Sequence, residues 1–126
     1  MSTITVTNIK ATGETASRPV SGVAGAWLRF DASSGTPTTE DSLNISSITD
    51  NGTGRHIPNF TNNFANTNYS VGACAANGAA SSTSYNLGFQ GTSVNQFELT
   101  NHRIISNAVA LFDSIFNAFS IHGDLA

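Results

Sequence analysis

The sequence predicts an all-β protein, an antiparallel β-sandwich of jelly-roll-like kind. Three observations carry the prediction. Short runs of alternating apolar and polar residues recur along the chain, each the length of one strand. Clusters of Gly, Pro, Asn, Asp and Ser separate them. Charged residues make up only 10% of the 126 residues, well under the quarter or so of an ordinary globular chain. Ser, Thr and Asn supply 45 positions instead.

The elements follow in order. Ile4–Thr7 alternates and reads as an opening strand. Residues 8–25 carry scattered polar groups, Gly and Pro with little periodicity, and read as a loop or extended arm. Trp27–Asp31 is the next strand, closed by the turn cluster SSGTPTTED. Leu43–Ile48 reads as a strand in which the Ser46–Ser47 pair breaks alternation and implies a bulge. The DNGTG stretch that follows holds Asn51–Gly52, a strong hairpin signal. Arg55–Phe60 returns from that hairpin, with Pro58 implying an edge or a bulge. Tyr69–Cys74, Ser84–Phe89 and Gln96–Leu99 come next. In them Tyr69, Val71 and Ala73 share one face, as do Tyr85, Leu87 and Phe89, and Phe97 and Leu99. That is a sheet with one buried and one wet side. NAVALFDSIFNAF (107–119) partly fits a helix and equally fits two strands joined at Asp113–Ser114. Its surroundings favour strands, and Phe116–Gly123 closes the chain as one.

The length fits one domain. Residues 1–25 form its N-terminal strand and arm, a candidate attachment segment, and 26–126 the sandwich. A net charge of −3 and only five Lys and Arg argue against nucleic acid, whose phosphates call for clustered cations. No apolar run approaches the ~20 residues of a membrane-spanning helix, and MSTITVTNIKATGET has no signal-peptide apolar core. Cys74, the single cysteine, sits among small residues and reads as a buried small hydrophobe.

Candidate chemistry is sparse. The acids are Glu14, Asp31, Glu40, Asp41, Asp50, Glu98, Asp113 and Asp124. Most occupy turn positions, where Asp accepts from backbone amides, and the adjacent pair in TED (39–41) reads as a solvated turn. No pair suggests the two-carboxylate machinery of glycoside hydrolysis, so no catalytic residue, metal or cofactor is expected. His56, His102 and His122 lack ligand spacing and read as surface residues. Trp27 reads as core or subunit-interface packing. Tyr85 is the one candidate binding residue.

Five elements in order resemble a bacteriophage domain found in tail fibres and small virion proteins. They are STITVTNI, VAGAWLRFD, DSLNISSITDNGTGRHIPNF, NTNYSVGACA and FDSIFNAFSIHGD. The chain departs from the pattern at Arg29, where Asn is usual, and at Pro58; residues 76–107 match nothing in it. The resemblance implies an all-β homotrimer in the phage particle, on its tail or capsid surface. It implies partners among other virion proteins and a host-surface glycan or protein receptor. The alternative is a purely structural head-decoration, capsid-fibre or tail-adaptor protein. Oligomerisation has a separate physical argument: sheet edges must be covered or charged, and this chain has little charge to spend on them. If loops on a fixed scaffold carry recognition, 76–107 is where it belongs.

Overall fold

The computed structural model describes residues 5–9, 12, 18–19, 23–76, 84–105 and 108–126. All of its regular structure is β. Two antiparallel sheets pack face to face as a sandwich, with a short ribbon at the N-terminus.

The N-terminal ribbon corrects the opening of the sequence reading. Residues 5–7 carry no strand, and Ile4 lies outside the described residues. Instead β1 (Asn8–Ile9) pairs antiparallel with β2 (Arg18–Pro19). A segment expected as an unpaired arm is thus folded back on itself.

The first sheet runs β4 (Thr38–Leu43), β3 (Ala24–Asp31), β11 (Phe116–His122), β7 (Ser70–Ala76). The second is built on β9 (Glu98–Ile105). Along one side of β9 lies β8 (Ser84–Gln90), paired from Glu98 to Ile104. The other side is divided end to end. There β6 (Arg55–Phe60) pairs at Leu99 and Thr100, and β10 (Ala108–Leu111) pairs from His102 to Ile105. The outer neighbour of β6 is β5 (Ile45–Asp50).

The expected single strand over Leu43–Ile48 is two strands in different sheets. Asn44 separates them with φ 58°, a left-handed conformation that Asn tolerates better than most residues. Its side chain bonds both neighbours across the corner: Nδ2 donates to Gly25 O at 3.1 Å and Asn62 O at 3.0 Å, and Oδ1 accepts from Asn62 N at 2.7 Å. Residues 38–43, expected within a turn cluster, therefore form β4. The bulge falls where the serine pair placed it, between Ile45 and Ser47. The β5–β6 hairpin turns through Gly52 (φ 99°) and Gly54 (φ 65°) rather than through a two-residue Asn-Gly loop. Pairing of β6 toward β9 skips Ile57 and Pro58 and resumes at Asn59–Gln96, as the missing proline N–H requires. The 107–119 region is two strands, β10 and β11, joined through Phe112–Ile115.

The core lies between the sheets. Ala26, Leu28 and Phe30 face inward from β3; Phe119 and Ile121 from β11; Phe97 and Leu99 from the segment entering β9. Phe60, Phe64 and Tyr69 complete an aromatic cluster, with Phe60–Phe64 centroids 4.9 Å apart and Phe97–Phe119 5.0 Å apart, both edge to face. The Tyr69 hydroxyl donates to Ser93 O at 3.0 Å. Each large side chain buried here contributes about 1.5–3 kcal/mol by leaving water.

Two expectations about single residues are overturned. Cys74 is exposed, because its strand β7 borders the first sheet and the small residues around it leave its outer face open. For Trp27 only the core alternative is overturned: it is half-buried on the outer face of β3, away from inward-facing Ala26 and Leu28, a position that does not bear on the subunit-interface alternative.

Candidate functional site

Tyr85, the binding residue expected from the sequence, lies on β8 opposite Arg103 of β9. Inward-facing positions along the chain entering β9 run Phe97, Leu99, Asn101, so Arg103 stands on the same face one step further out. Phe112, in the β10–β11 connection, completes a three-residue cluster. The Tyr85 and Phe112 rings are 5.9 Å apart at 44°. The Arg103 guanidinium sits over the Phe112 ring, 4.4 Å from its centroid, within cation–π range. All three side chains are half-buried.

The arginines differ in their partners. Arg29 pairs with Glu40 at 2.6 Å and Arg55 with Glu98 at 2.5 Å. Glu40 thus faces Arg29 from β4, and the TED run is strand rather than turn. The Arg55 contact holds the Glu98 carboxyl below its ordinary range. Arg103 has no carboxylate within ion-pair distance among the described residues. The Arg18 side chain lies outside them.

A polar cluster lies directly beneath. Asn101 Nδ2 donates to Ser114 Oγ at 2.6 Å and Asn117 Oδ1 at 2.9 Å. Asn117 Nδ2 donates to Ser114 O at 2.9 Å and Phe30 O at 3.3 Å. Asp113 Oδ1 accepts the Gly54 N–H at 2.6 Å. His56, expected at the surface, is fully buried, because the alternation of β6 turns His56, Pro58 and Phe60 inward. Its Nε2 is 3.5 Å from Asp113 Oδ1, and its ring meets Phe30 edge-on at 5.2 Å. Burial pushes its pKa down; Asp113 and Asp50 oppose that. His56, Asn101, Ser114 and Asn117 are buried and Asp113 is half-buried; these groups position Phe112 and the β5–β6 turn.

Asp31 and Asp50 accept from the backbone amides of Ser33 and Gly52, the turn role their positions implied. No group of three or more His, Cys, Asp or Glu that would hold a metal occurs among the described residues, and no helix there is long and apolar enough to cross a membrane. A shallow depression of about 390 Å³ on the outer face of the first sheet is lined by Gly72, Cys74, Ala118 and Ser120; it offers a ligand little beyond one hydroxyl and one thiol.

No family model, curated protein or solved structure matches this chain.

Of the three residues in this cluster, the sequence names Tyr85 as a binding candidate and does not single out Arg103 or Phe112. One signal was available: period-two counting from Phe97 and Leu99 puts Arg103 on the inward face, where an arginine is out of place. Phe112 is invisible this way, because it sits in a connection and reaches the cluster only through the fold.

Proposed function

We propose that this chain is a bacteriophage structural virion protein, a homotrimeric, jelly-roll-like β module of the tail-fibre, receptor-binding type. The observation that carries the reading is the open edge at β10. Its four residues, Ala108–Leu111, are all exposed and uncharged, with Val109 64% exposed. Ile104 and Ile115 extend the apolar surface beside it. An edge with unpaired backbone groups and no charge invites another chain, and the closed solution is a symmetric oligomer. The ordered resemblance to phage modules supplies the three-fold expectation and the virion setting. The Tyr85 cluster supplies a surface for a host-side glycan or protein receptor, and the N-terminal segment a route of attachment to other virion proteins.

Light scattering at micromolar concentration is the direct test of assembly. A trimer is expected, and Val109→Lys should dissociate it; a monomeric wild-type protein would contradict the reading. Density at the tail of the intact particle, with adsorption blocked by antibody to the chain, is expected for a receptor-binding module. Density confined to the capsid shell would favour the purely structural alternative.

A further inference from the structure

We infer that the Tyr85–Phe112–Arg103 cluster is a binding site for a carboxylate-bearing sugar, a hexuronic acid or a similarly acidic pyranose. The inference rests on the receptor-binding reading and names the ligand class of that surface. Three features converge.

The first is the charge of Arg103. Arg29 and Arg55 are both neutralised by a glutamate. Arg103 alone among the described arginine side chains has no carboxylate. It is nevertheless not a freely waving surface side chain: it is half-buried, with its guanidinium over the Phe112 ring, 4.4 Å from the centroid. A guanidinium over a ring and without a carboxylate partner still carries the planar fork of donors that matches a carboxylate with two parallel hydrogen bonds.

The second is the pair of rings. Tyr85 and Phe112 lie 5.9 Å apart and tilted at 44°, so each offers part of an apolar face beside the guanidinium. A pyranose presents apolar C–H groups on one face and polar substituents at its rim. It can lie on the rings while its carboxylate reaches Arg103, and the tyrosine hydroxyl can accept from or donate to a ring hydroxyl.

The third is the number of charges. The Asp113 Oδ1 nearby in sequence already takes the Gly54 N–H at 2.6 Å and is turned to the buried cluster. One unpaired cation suits a monoanion. A polyphosphate or nucleic acid needs several cations in a row, and a chain of net charge −3 repels it at longer range. Support comes from below: Asn101 receives the Phe112 N–H on its backbone oxygen at 3.1 Å and gives its own N–H to Gly54 O at 2.7 Å. The backbone that carries the Phe112 ring is therefore tied to the framework before any ligand arrives, which lowers the ordering cost of binding.

The test is an NMR titration of the full ¹⁵N-labelled chain with methyl glucuronide, methyl glucoside and N-acetylglutamate amide. The glucuronide is expected to shift the Arg103 Nε–H and the Tyr85 amide, and the glucoside to bind about ten-fold more weakly, the cost of one charge-assisted interaction. Arg103→Met, which keeps the apolar stem over Phe112, should abolish the preference for the uronide; Arg103→Lys should retain a reduced one. Both variants must show the wild-type amide pattern outside the cluster, and if Met does not, Lys alone decides. Equal binding of glucuronide and glucoside, or shifts remote from Arg103, would overturn the inference. So would an amino-acid carboxylate that binds as tightly as the uronide, because it would point to an acidic peptide. The two readings fail separately. Wild type and Arg103→Met that block phage adsorption equally would sink the acidic-sugar site and leave receptor binding standing. Uronide binding at Arg103 with no effect on adsorption would do the reverse.

Discussion

The two ends of the sandwich are closed by different physics. At one end Phe60, Phe64, Tyr69, Phe97 and Phe119 fill the space with rings. At the other, His56, Asn101, Ser114 and Asn117 are just as deeply buried; hydrogen bonds tie the last three together, while His56 stands 3.5 Å from Asp113 with no hydrogen-bond partner for either ring nitrogen among the described residues. The same strands supply both. Along β6 the inward positions run from His56 to Phe60, and along β11 from Asn117 to Phe119 and Ile121. Aromatic packing is non-directional and can re-form around a changed side chain. A buried polar cluster is worth its cost only while each member is paired, and one lost partner strands the others in a medium without water. The polar end is therefore the rigid one, and it is the end on which Arg103 and Phe112 are mounted.

The largest expected effects compare like with like. Phe97→Leu keeps an apolar side chain where neighbouring rings can close in, and should cost about 1–1.5 kcal/mol. Asn117→Leu nearly conserves volume at the other end, yet it takes one hydrogen-bond partner from each of Asn101 Nδ2, Ser114 Oγ and Phe30 O in a buried site, and should cost about 2–3 kcal/mol. Chemical denaturation of the two variants measures the gap. Equal costs would mean that the polar end repacks as readily as the aromatic one.

Gly54→Ala tests the same end through the backbone. Gly54 has φ 65°, and an added Cβ would fall 2.6 Å from Phe112 N and 2.7 Å from Asn101 O. Neither neighbour is a flexible side chain. The left-handed strain and the overlap together should cost about 3 kcal/mol. Because Phe112 must move, the Arg103 Nε–H resonance should shift as well. Gly52→Ala, with a positive φ but nothing within 4 Å, should cost about 1 kcal/mol and leave Arg103 unchanged.

The polar end should also be the acid-sensitive one. Burial lowers the pKa of His56 below its ordinary 6.5 in the folded chain. The unfolded chain then binds the proton more readily, so this contribution to stability is complete above about pH 6.5 and is lost as the pH falls through that value toward the folded pKa. Glu98, whose pKa is lowered from 4.5 by Arg55, acts only in more acid solution. Thermal midpoints of wild type and His56→Leu, each at pH 7 and pH 5, therefore isolate this histidine. Wild type should lose stability over that interval, and His56→Leu should lose clearly less. A wild-type midpoint that rises on acidification would mean that attraction to Asp113 outweighs burial.

Much of the sandwich was legible in the sequence because alternation is a local property. Inward Ala26, Leu28 and Phe30, and inward Phe97 and Leu99, follow from period two alone. The same rule reaches His56 through Pro58 and Phe60, but a histidine's ordinary preference for water overrode it. The division of Leu43–Ile48 between two sheets was not legible, because no apolar pattern marks a corner: Leu43, Ile45 and Ile48 read alike on either side of Asn44. The candidate site was legible at Tyr85 only. Phe112 and Arg103 meet because β9 is flanked by β8 on one side and by β10 on the other, which is tertiary information.

That corner gives the smallest and sharpest prediction. Asn44 belongs to the aromatic end, yet it is itself a polar stitch, bonded to Gly25 and Asn62. Unlike Asn117 it lies near the surface, and its bonds to Asn62 are exposed. If burial rather than bond count makes the other cluster indispensable, water should replace most of what Asn44 provides. Asn44→Gly removes the side chain but is at ease at φ 58°, and should cost only about 0.5–1 kcal/mol. Asn44→Ala adds left-handed strain to the same loss and should cost about 2 kcal/mol. The difference between these two variants isolates the backbone term. The difference between Asn44→Gly and Asn117→Leu isolates burial, because each removes a side chain with several hydrogen bonds and only one leaves its partners dry.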